Sequence, residues 1–210
     1  MRKLSRFLFI MALLASVAGA QSGRRVPPPS TQAIPRDEIP VEAETKTQPP
    51  RVIARAELTA VPESVLGREL QTLRRERFRL ADYNGKIVVI NIWASWCGPC
   101  RQETPEMEEI SREYAKRGVE FVGLTAEDPA SAGGRVSAFV RDSKVSYRIG
   151  WIDRTTANAL MNGRNVIPQT FVVRGDGRIL RRFVGYNASR SGQMLREAID
   201  RALDKDDESL

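Results

Sequence analysis

Residues 86–100 read KIVVINIWASWCGPC, and this stretch decides the fold of the chain. Its first half, Lys86–Trp93, is an almost unbroken apolar run rich in β-branched residues, which is typical of a central strand covered on both faces. Its second half places Cys97 and Cys100 directly after that strand, with a Gly-Pro pair between them. Proline is tolerated in the first turn of a helix. The stretch therefore predicts a buried strand that leads into a helix whose first turn carries two cysteines.

The two cysteines are suited to thiol–disulfide exchange. The free N–H groups and the positive dipole end of a helix N-terminus favour a thiolate, so we expect a lowered pKa for Cys97. A thiolate is the species that attacks a disulfide, and Cys100, one turn further on, would then resolve the mixed disulfide. A purely structural disulfide is the alternative, but closing so small a loop stabilises a fold little. The motif in its context therefore favours redox chemistry.

The composition excludes most other chemistries. The chain contains no histidine, which excludes a Ser-His-Asp triad, a Cys-His protease pair and a His-ligated metal site. Two cysteines cannot complete a four-ligand zinc site, and Arg101 after Cys100 does not fit a haem-attachment motif. No nucleotide-binding glycine loop suggests NADPH or flavin. We therefore expect neither a metal nor a cofactor, and electrons must come from another protein.

The positive charge of the chain does not indicate nucleic-acid binding. Three of the seven net positive charges lie in residues 1–20, so the remainder carries +4. The other Lys and Arg residues are scattered among acids along the sequence, with no basic block of the kind that binds a phosphate backbone.

The N-terminal 56 residues are expected to lie outside the folded domain. Residues 1–20 combine a basic start, a short apolar stretch and an Ala-x-Ala site, which is typical of a signal peptide cleaved after Ala20. An uncleaved membrane anchor is the alternative, although the apolar run is short for a span. Residues 21–56 are proline-rich and lack aromatic residues, which predicts a flexible tether. The chain is therefore expected to be exported, and to be periplasmic or tethered to the outer side of the inner membrane.

The rest of the 210-residue chain is expected to form one domain at residues 57–204, with an acidic frayed tail at 205–210. The predicted strands are 78–80, 86–93, 119–125, 147–152, 169–174 and 178–185, and the predicted helices are 98–117 (interrupted at Pro105), 136–144, 155–162 and 189–203. Gly175-Asp176-Gly177 is a strong hairpin signal between the last two strands. This order predicts an α/β fold with a mixed central β-sheet and helices on both faces.

Two motifs resemble the thioredoxin superfamily. Residues 85–105, GKIVVINIWASWCGPCRQETP, are similar to its exported TlpA/ResA-type branch, a Redoxin-like group that includes the cytochrome c maturation thioredoxins. Residues 166–171, VIPQTF, match the second landmark of that branch, and the likeness spans about residues 68–204. The resemblance implies a thioredoxin fold and the activity of a protein thiol–disulfide oxidoreductase.

The resemblance also implies roles for individual residues. Cys97 would be the nucleophile and Cys100 the resolving thiol. Pro168 would be a cis proline packed against the disulfide, the alternative being a trans proline that leads a strand. Ile167 would offer its backbone to an extended partner segment, as in strand addition. Trp96 would cover the sulfurs and shape the docking face, or simply pack.

Two polar positions bear on proton handling. The resemblance places Asn91 where thioredoxin keeps a buried acid, and Asn91 cannot titrate. The exported branch often has an acid three residues after the second cysteine, here Glu103, which would take up a proton from Cys100 and raise the pKa of a neighbouring thiol. A solvent-facing helix glutamate is the alternative for Glu103. Arg101 would either lower the pKa of Cys97 or remain solvated.

Together these observations predict an extracytoplasmic oxidoreductase. The Gly-Pro between the cysteines resembles reducing thioredoxins, so we expect the protein to reduce disulfides of exported proteins, with cytochrome c maturation as one context. The resemblance implies a membrane electron donor of the DsbD/CcdA type; contact with the membrane is otherwise expected only if the leader is uncleaved. We expect a monomer. A disulfide-forming oxidant and a non-catalytic peptide-binding or chaperone module are the alternatives.

Overall fold

The computed structural model describes residues 59–207. The signal peptide predicted at residues 1–20, the tether predicted at 21–56 and the last residues of the predicted tail lie outside this range. Within the part of the chain that is described, no helix is both long enough and apolar enough to cross a bilayer.

Seven strands and five α-helices follow one another along the described residues. The strands are β1 (Leu70–Thr72), β2 (Arg77–Phe78), β3 (Val88–Trp93), β4 (Glu120–Thr125), β5 (Arg148–Trp151), β6 (Gln169–Val173) and β7 (Ile179–Val184). The helices are α1 (Glu63–Leu66), α2 (Gly98–Ala115), α3 (Pro129–Asp142), α4 (Arg154–Leu160) and α5 (Ser191–Asp207).

All seven strands form a single mixed sheet of order β2-β1-β5-β4-β3-β6-β7. β3 pairs in parallel with β4, and β4 with β5, whereas β6 runs antiparallel to β3. The β6–β7 hairpin and the β1–β2 pair are antiparallel. The predicted mixed sheet is confirmed, and the β3–β6 register places Asn91 opposite Thr170.

The two faces of β3 contact two separate hydrophobic cores. Val88, Ile90 and Ile92 lie in a cluster with residues of α1 and α4, whereas Val89 packs in a cluster with residues of α2 and α5. All six residues of β3 are buried, as expected of a strand covered by helices on both faces. Side chains alternate along a strand, so Asn91 shares the face of Val89. The single polar side chain of β3 is therefore directed toward the helix that begins at the cysteines.

α2 runs unbroken from Gly98 to Ala115, so the predicted interruption at Pro105 is wrong. Pro105 lies on the exposed side of the helix. A proline leaves one backbone carbonyl without its helical donor, and on this side water can supply the missing hydrogen bond. Pro105 therefore does not interrupt the helix that begins at the cysteines.

α3 begins at Pro129 rather than at the predicted Val136. The Asp128 carboxylate accepts a hydrogen bond from the Ala130 N–H at 3.1 Å, and Pro129 occupies the first turn. Both are favourable features of a helix start. The Gly133-Gly134 pair disfavours a helix, which is why the sequence pattern placed the start too late.

The other differences lie at the ends of elements. α5 continues to Asp207, so the predicted domain boundary at residue 204 falls inside a helix. The predicted strand 78–80 is reduced to β2, and a 3₁₀ turn follows at Leu80–Tyr83. The short elements α1 and β1 were not predicted.

Candidate active site

Cys97 and Cys100 form a disulfide at the N-terminus of α2. Cys97 is the N-cap residue, and its Sγ accepts a hydrogen bond from the Cys100 backbone N–H at 3.2 Å. Both cysteines are buried: Cys97 is 4% exposed and Cys100 is 1% exposed. The predicted placement, with both sulfurs at one helix end directly after a buried strand, is therefore confirmed.

The loop before β6 lies against this disulfide. The Ile167–Pro168 peptide bond is cis, as the resemblance implied. The Ile167 carbonyl oxygen lies 3.9 Å from the Cys97 Sγ, and the Ile167 side chain packs against the cluster that contains both cysteines. The Trp96 side chain is 67% exposed, so it is not part of the core and is free to contact a partner. The structure thus brings the predicted residues Cys97, Cys100, Ile167 and Pro168 together, and it leaves Trp96 exposed at the edge of the site.

Gln169 and Arg182 hold this loop in place. The fully buried Gln169 donates from its Nε2 to the backbone carbonyls of Arg164 and Val166, both at 2.6 Å. The Arg182 Nε donates to the Gln169 Oε1 at 2.9 Å, and its Nη2 donates to the Met161 carbonyl. Gln169 belongs to the motif quoted above, but nothing in the sequence indicated Arg182, which is on the neighbouring strand β7.

Glu103 is buried under the first turns of α2. Its carboxylate accepts hydrogen bonds from the Asn91 Nδ2 at 3.0 Å and the Thr170 Oγ1 at 3.2 Å. The Asn91 Nδ2 also donates to the Thr170 Oγ1 at 3.0 Å, which closes the network. The solvent-facing alternative is wrong, because Glu103 is only 7% exposed. Glu103 shares a helix face with Cys100, three residues earlier.

The environment of Glu103 suits proton exchange near neutral pH. Burial raises the pKa of Glu103 to about 7, and the nearby Glu106 adds to the increase. The hydrogen bonds from Asn91 and Thr170 act in the opposite direction but do not cancel the cost of burial. A carboxyl group with a pKa near the ambient pH can both accept and release a proton.

A second, largely buried carboxylate holds the segment that precedes Cys97. Glu127 accepts hydrogen bonds from the Ser95 backbone N–H at 2.6 Å and the Ser95 hydroxyl at 2.9 Å. Arg135 on α3 donates to Glu127 at 2.8 Å and to the Ser95 hydroxyl at 2.9 Å. Burial by itself would raise the pKa of Glu127, but the hydrogen bonds from Arg135 and Ser95 outweigh it and hold that pKa below its usual value. No motif in the sequence indicated this residue.

Arg101 braces the same segment. Its Nη1 donates to the Ser95 carbonyl at 3.2 Å, and its guanidinium lies over the Phe139 ring, 5.2 Å from the centroid. The side chain is therefore engaged with the protein rather than fully solvated, which was the alternative considered for it.

Comparisons with known proteins agree with this site. The Redoxin family model matches residues 56–198. The chain is 30% identical over 113 residues to the thiol-disulfide oxidoreductase ResA of Bacillus cereus, a match that covers 54% of this chain and 63% of that protein. The ResA of Geobacillus kaustophilus is 32% identical over 137 residues, or 64% of this chain and 71% of that protein.

Solved structures show the same architecture. A thiol:disulfide interchange protein of the thioredoxin family from Chlorobium tepidum TLS superposes with a TM-score of 0.59 at 26% identity, covering 71% of this chain and 99% of that one. This likeness confirms the predicted thioredoxin fold. The chain therefore belongs to the Redoxin family, and within the thioredoxin superfamily it is of the TlpA/ResA type.

Proposed function

We propose that this protein is a thiol–disulfide oxidoreductase that reduces disulfides of exported proteins. The observation that carries the proposal is the Cys97–Cys100 disulfide at a helix N-terminus, with the Ile167 carbonyl 3.9 Å from the outer sulfur. The names of the two ResA relatives support the reaction type. The Gly98-Pro99 pair, which resembles that of reducing thioredoxins, supports the direction.

The reaction proceeds in two exchange steps. The Cys97 thiolate attacks one sulfur of the substrate disulfide, so that a mixed disulfide forms and the other substrate sulfur leaves as a thiolate. The Cys100 thiolate then attacks the Cys97 sulfur, which closes the protein disulfide and releases the second substrate thiolate. The substrate gains two electrons and the dithiol loses them.

Glu103 supplies the proton acceptor for the second step. The Cys100 thiol must lose its proton before it attacks, and it is almost fully buried, so water is a poor acceptor. Glu103 lies on the same face of α2 and has a pKa of about 7. A base of that strength takes the proton readily at neutral pH and can return it to a leaving thiolate.

The substrate binds across the cis-proline loop, which is the segment 161–168 between α4 and β6. An extended segment beside its disulfide pairs with the backbone of Ile167 next to Pro168, and its side chains contact the exposed Trp96. Export follows from the leader-like residues 1–20, with residues 21–56 as a tether to the domain. A membrane protein of the DsbD/CcdA type recharges the dithiol, and cytochrome c maturation is the physiological context by resemblance.

The reduction potential of the Cys97–Cys100 pair tests this function. The purified protein is equilibrated with defined ratios of reduced and oxidised glutathione or dithiothreitol. A value of about −220 to −270 mV supports a reductant, whereas a value near −120 mV would make the protein an oxidant. A pair that does not titrate reversibly would overturn the redox proposal and favour a peptide-binding module.

Two cysteine variants test the assignment of roles. Cys97→Ser abolishes reduction of a model protein disulfide, because no thiolate can begin the exchange. Cys100→Ser stops after the first step and accumulates a mixed disulfide, which non-reducing electrophoresis detects. Accumulation in the Cys97→Ser variant instead would reverse the two roles.

A further inference from the structure

The positive charge of the domain is concentrated in one part of the chain. Residues 59–153 contain fourteen Lys and Arg and fourteen Asp and Glu. Residues 154–196 contain eight arginines and a single acid, Asp176. This second segment comprises α4, the cis-proline loop, β6, β7 and the first turns of α5. Arg196 is paired with Glu109 and Glu113 on α2, and Arg178 with Asp176, so the unbalanced charge near the cis-proline loop comes from the other arginines of this segment, among them Arg164 and Arg182.

Arg164 is the arginine of this segment that is nearest in sequence to the cis proline. It is exposed, and its backbone carbonyl is fixed by Gln169. Arg182 donates to the same Gln169 side chain, so one residue links the Arg164 backbone to the Arg182 guanidinium. Burial and then the positive charge of Arg164 lower the pKa of Arg182. Among residues 59–207, no acidic side chain forms an ion pair with either arginine, so both cations lack a counter-charge within the described domain.

Exposed apolar side chains border the same loop. The large apolar residues that stand out as exposed among those described are Trp96 at 67%, Val166 at 57% and Val184 at 44%. Trp96 immediately precedes Cys97, and Val166 immediately precedes Ile167. Val184 pairs with Gln169, and the following Gly185 N–H donates to the Pro168 carbonyl at 2.8 Å. Apolar contacts with a charged rim are typical of a protein-binding surface.

The acid on the other side of Cys97 is already paired. Glu127 forms an ion pair with Arg135 at 2.8 Å, and the remaining cation there, Arg101, is held by the Ser95 carbonyl and the Phe139 ring. The Arg164 side instead has two cations, Arg164 and Arg182, without an acidic partner among residues 59–207. An incoming segment therefore meets unbalanced positive charge on the α4–β7 side of the disulfide.

We propose that this face selects extended segments that carry acidic residues beside their disulfide, and that Arg164 is the specificity-determining residue. The inference rests on the proposed oxidoreductase function and adds a substrate class to it. Complementary charge accelerates encounter and discriminates against like-charged partners, and it acts most strongly at low ionic strength.

Matched disulfide peptides test the inference. Three peptides share one disulfide and differ only in the flanking residues, which are aspartate, asparagine or lysine. The full chain is first reduced with dithiothreitol and separated from it, and the rate at which this reduced protein alone reduces each peptide is measured in single turnover at low and at high salt. We expect the aspartate peptide to be reduced at least about tenfold faster than the lysine peptide at low salt, with most of the difference lost at high salt.

Variants of Arg164 test whether this residue causes the preference for the aspartate peptide. Arg164→Lys keeps the preference, Arg164→Gln reduces it and Arg164→Glu reverses it; circular dichroism checks that each variant is folded. Arg201→Glu is the matched control, because Arg201 is exposed on α5 beside Asp200, whose carboxylate contacts Tyr114 near the far end of α2. This control keeps both the rate and the preference. Equal reduction of all three peptides would overturn the inference while leaving the oxidoreductase function intact, whereas reduction of none would count against that function itself.

Discussion

Glu103 and Glu127 are both largely buried near the disulfide, yet their pKa values move in opposite directions. Glu103 receives hydrogen bonds from the neutral side chains of Asn91 and Thr170, and burial raises its pKa to about 7. Glu127 receives hydrogen bonds from the cationic Arg135 and from Ser95, and its pKa is lowered. The difference shows that the charge and number of its partners, rather than burial alone, determine whether a buried carboxyl group stays ionised.

The two carboxyl groups are therefore suited to different roles in the site. Glu103 changes its protonation state near neutral pH, which suits a proton acceptor. Glu127 stays ionised and fixes the backbone of Ser95, two residues before Cys97, which suits a positioning residue.

The largest effect is expected for Glu103→Gln. Loss of the proton acceptor should slow the exchange reaction by about two orders of magnitude at neutral pH and remove the inflection near pH 7 from the rate profile. Stopped-flow reduction of a model disulfide measures both quantities. Glu127→Gln is the control and should keep the inflection. If the pH–rate profile of Glu103→Gln still had an inflection near pH 7, that inflection would belong to the titration of another group.

The pH dependence of stability should reveal the same group. Glu103 has a pKa of about 7 in the folded protein and 4.5 as its ordinary value. Between these values the folded state binds the proton that the unfolded state has released, so the free energy of unfolding falls as pH rises. The decrease is about 3 kcal/mol and is complete above about pH 7. Urea unfolding of the oxidised protein should show this slope, and the difference from Glu103→Gln isolates it. Equal slopes in the two proteins would mean that Glu103 titrates normally.

Glu127→Gln should reduce stability, in contrast to Glu103→Gln, which removes a costly buried charge at pH 8. We expect a loss of roughly 1–2 kcal/mol, because charge-assisted hydrogen bonds to Ser95 and Arg135 are replaced by weaker ones. Because folding lowers the pKa of Glu127, the stability that its carboxylate contributes is fully present above its unfolded pKa and is lost as pH falls through its folded pKa. Urea unfolding at pH 8 and at a series of pH values below 4.5 measures both effects. Changes of the same sign in the two variants at pH 8 would refute the comparison.

The smallest expected effect belongs to Thr170→Val. This substitution removes one hydrogen bond to the ionised Glu103, so the pKa of Glu103 should rise further, by roughly half a unit to one unit. The inflection of the rate profile reports the shift. A downward shift would show that Thr170 stabilises the protonated carboxyl group instead.

Local patterns in the sequence were sufficient for the centre of the fold. The run before Cys97 predicted β3, and the two motifs led to the disulfide and to the cis Pro168. These features depend on neighbouring residues or on a compact motif. The start of α3 was missed because the Gly133-Gly134 pair weighed against a helix that Asp128 nonetheless caps.

Features that depend on pairing between distant elements could not be predicted. Asn91 and Thr170 are 79 residues apart and meet only through the β3–β6 register. Glu127 reaches Ser95 across 32 residues. The identity of Glu103 was apparent from the motif, but its raised pKa depends on packing that sequence spacing does not specify.

The support of the cis-proline loop has a consequence for how such a protein can diversify. Gln169 donates hydrogen bonds to the main-chain carbonyls of Arg164 and Val166. These hydrogen bonds do not depend on which side chains the two positions carry. Substitutions there can change the surface that partners meet while the scaffold beneath Pro168 stays in register. The chemistry of this surface and the geometry of the dithiol centre are therefore set by different atoms, side chains in the first case and main-chain carbonyls in the second.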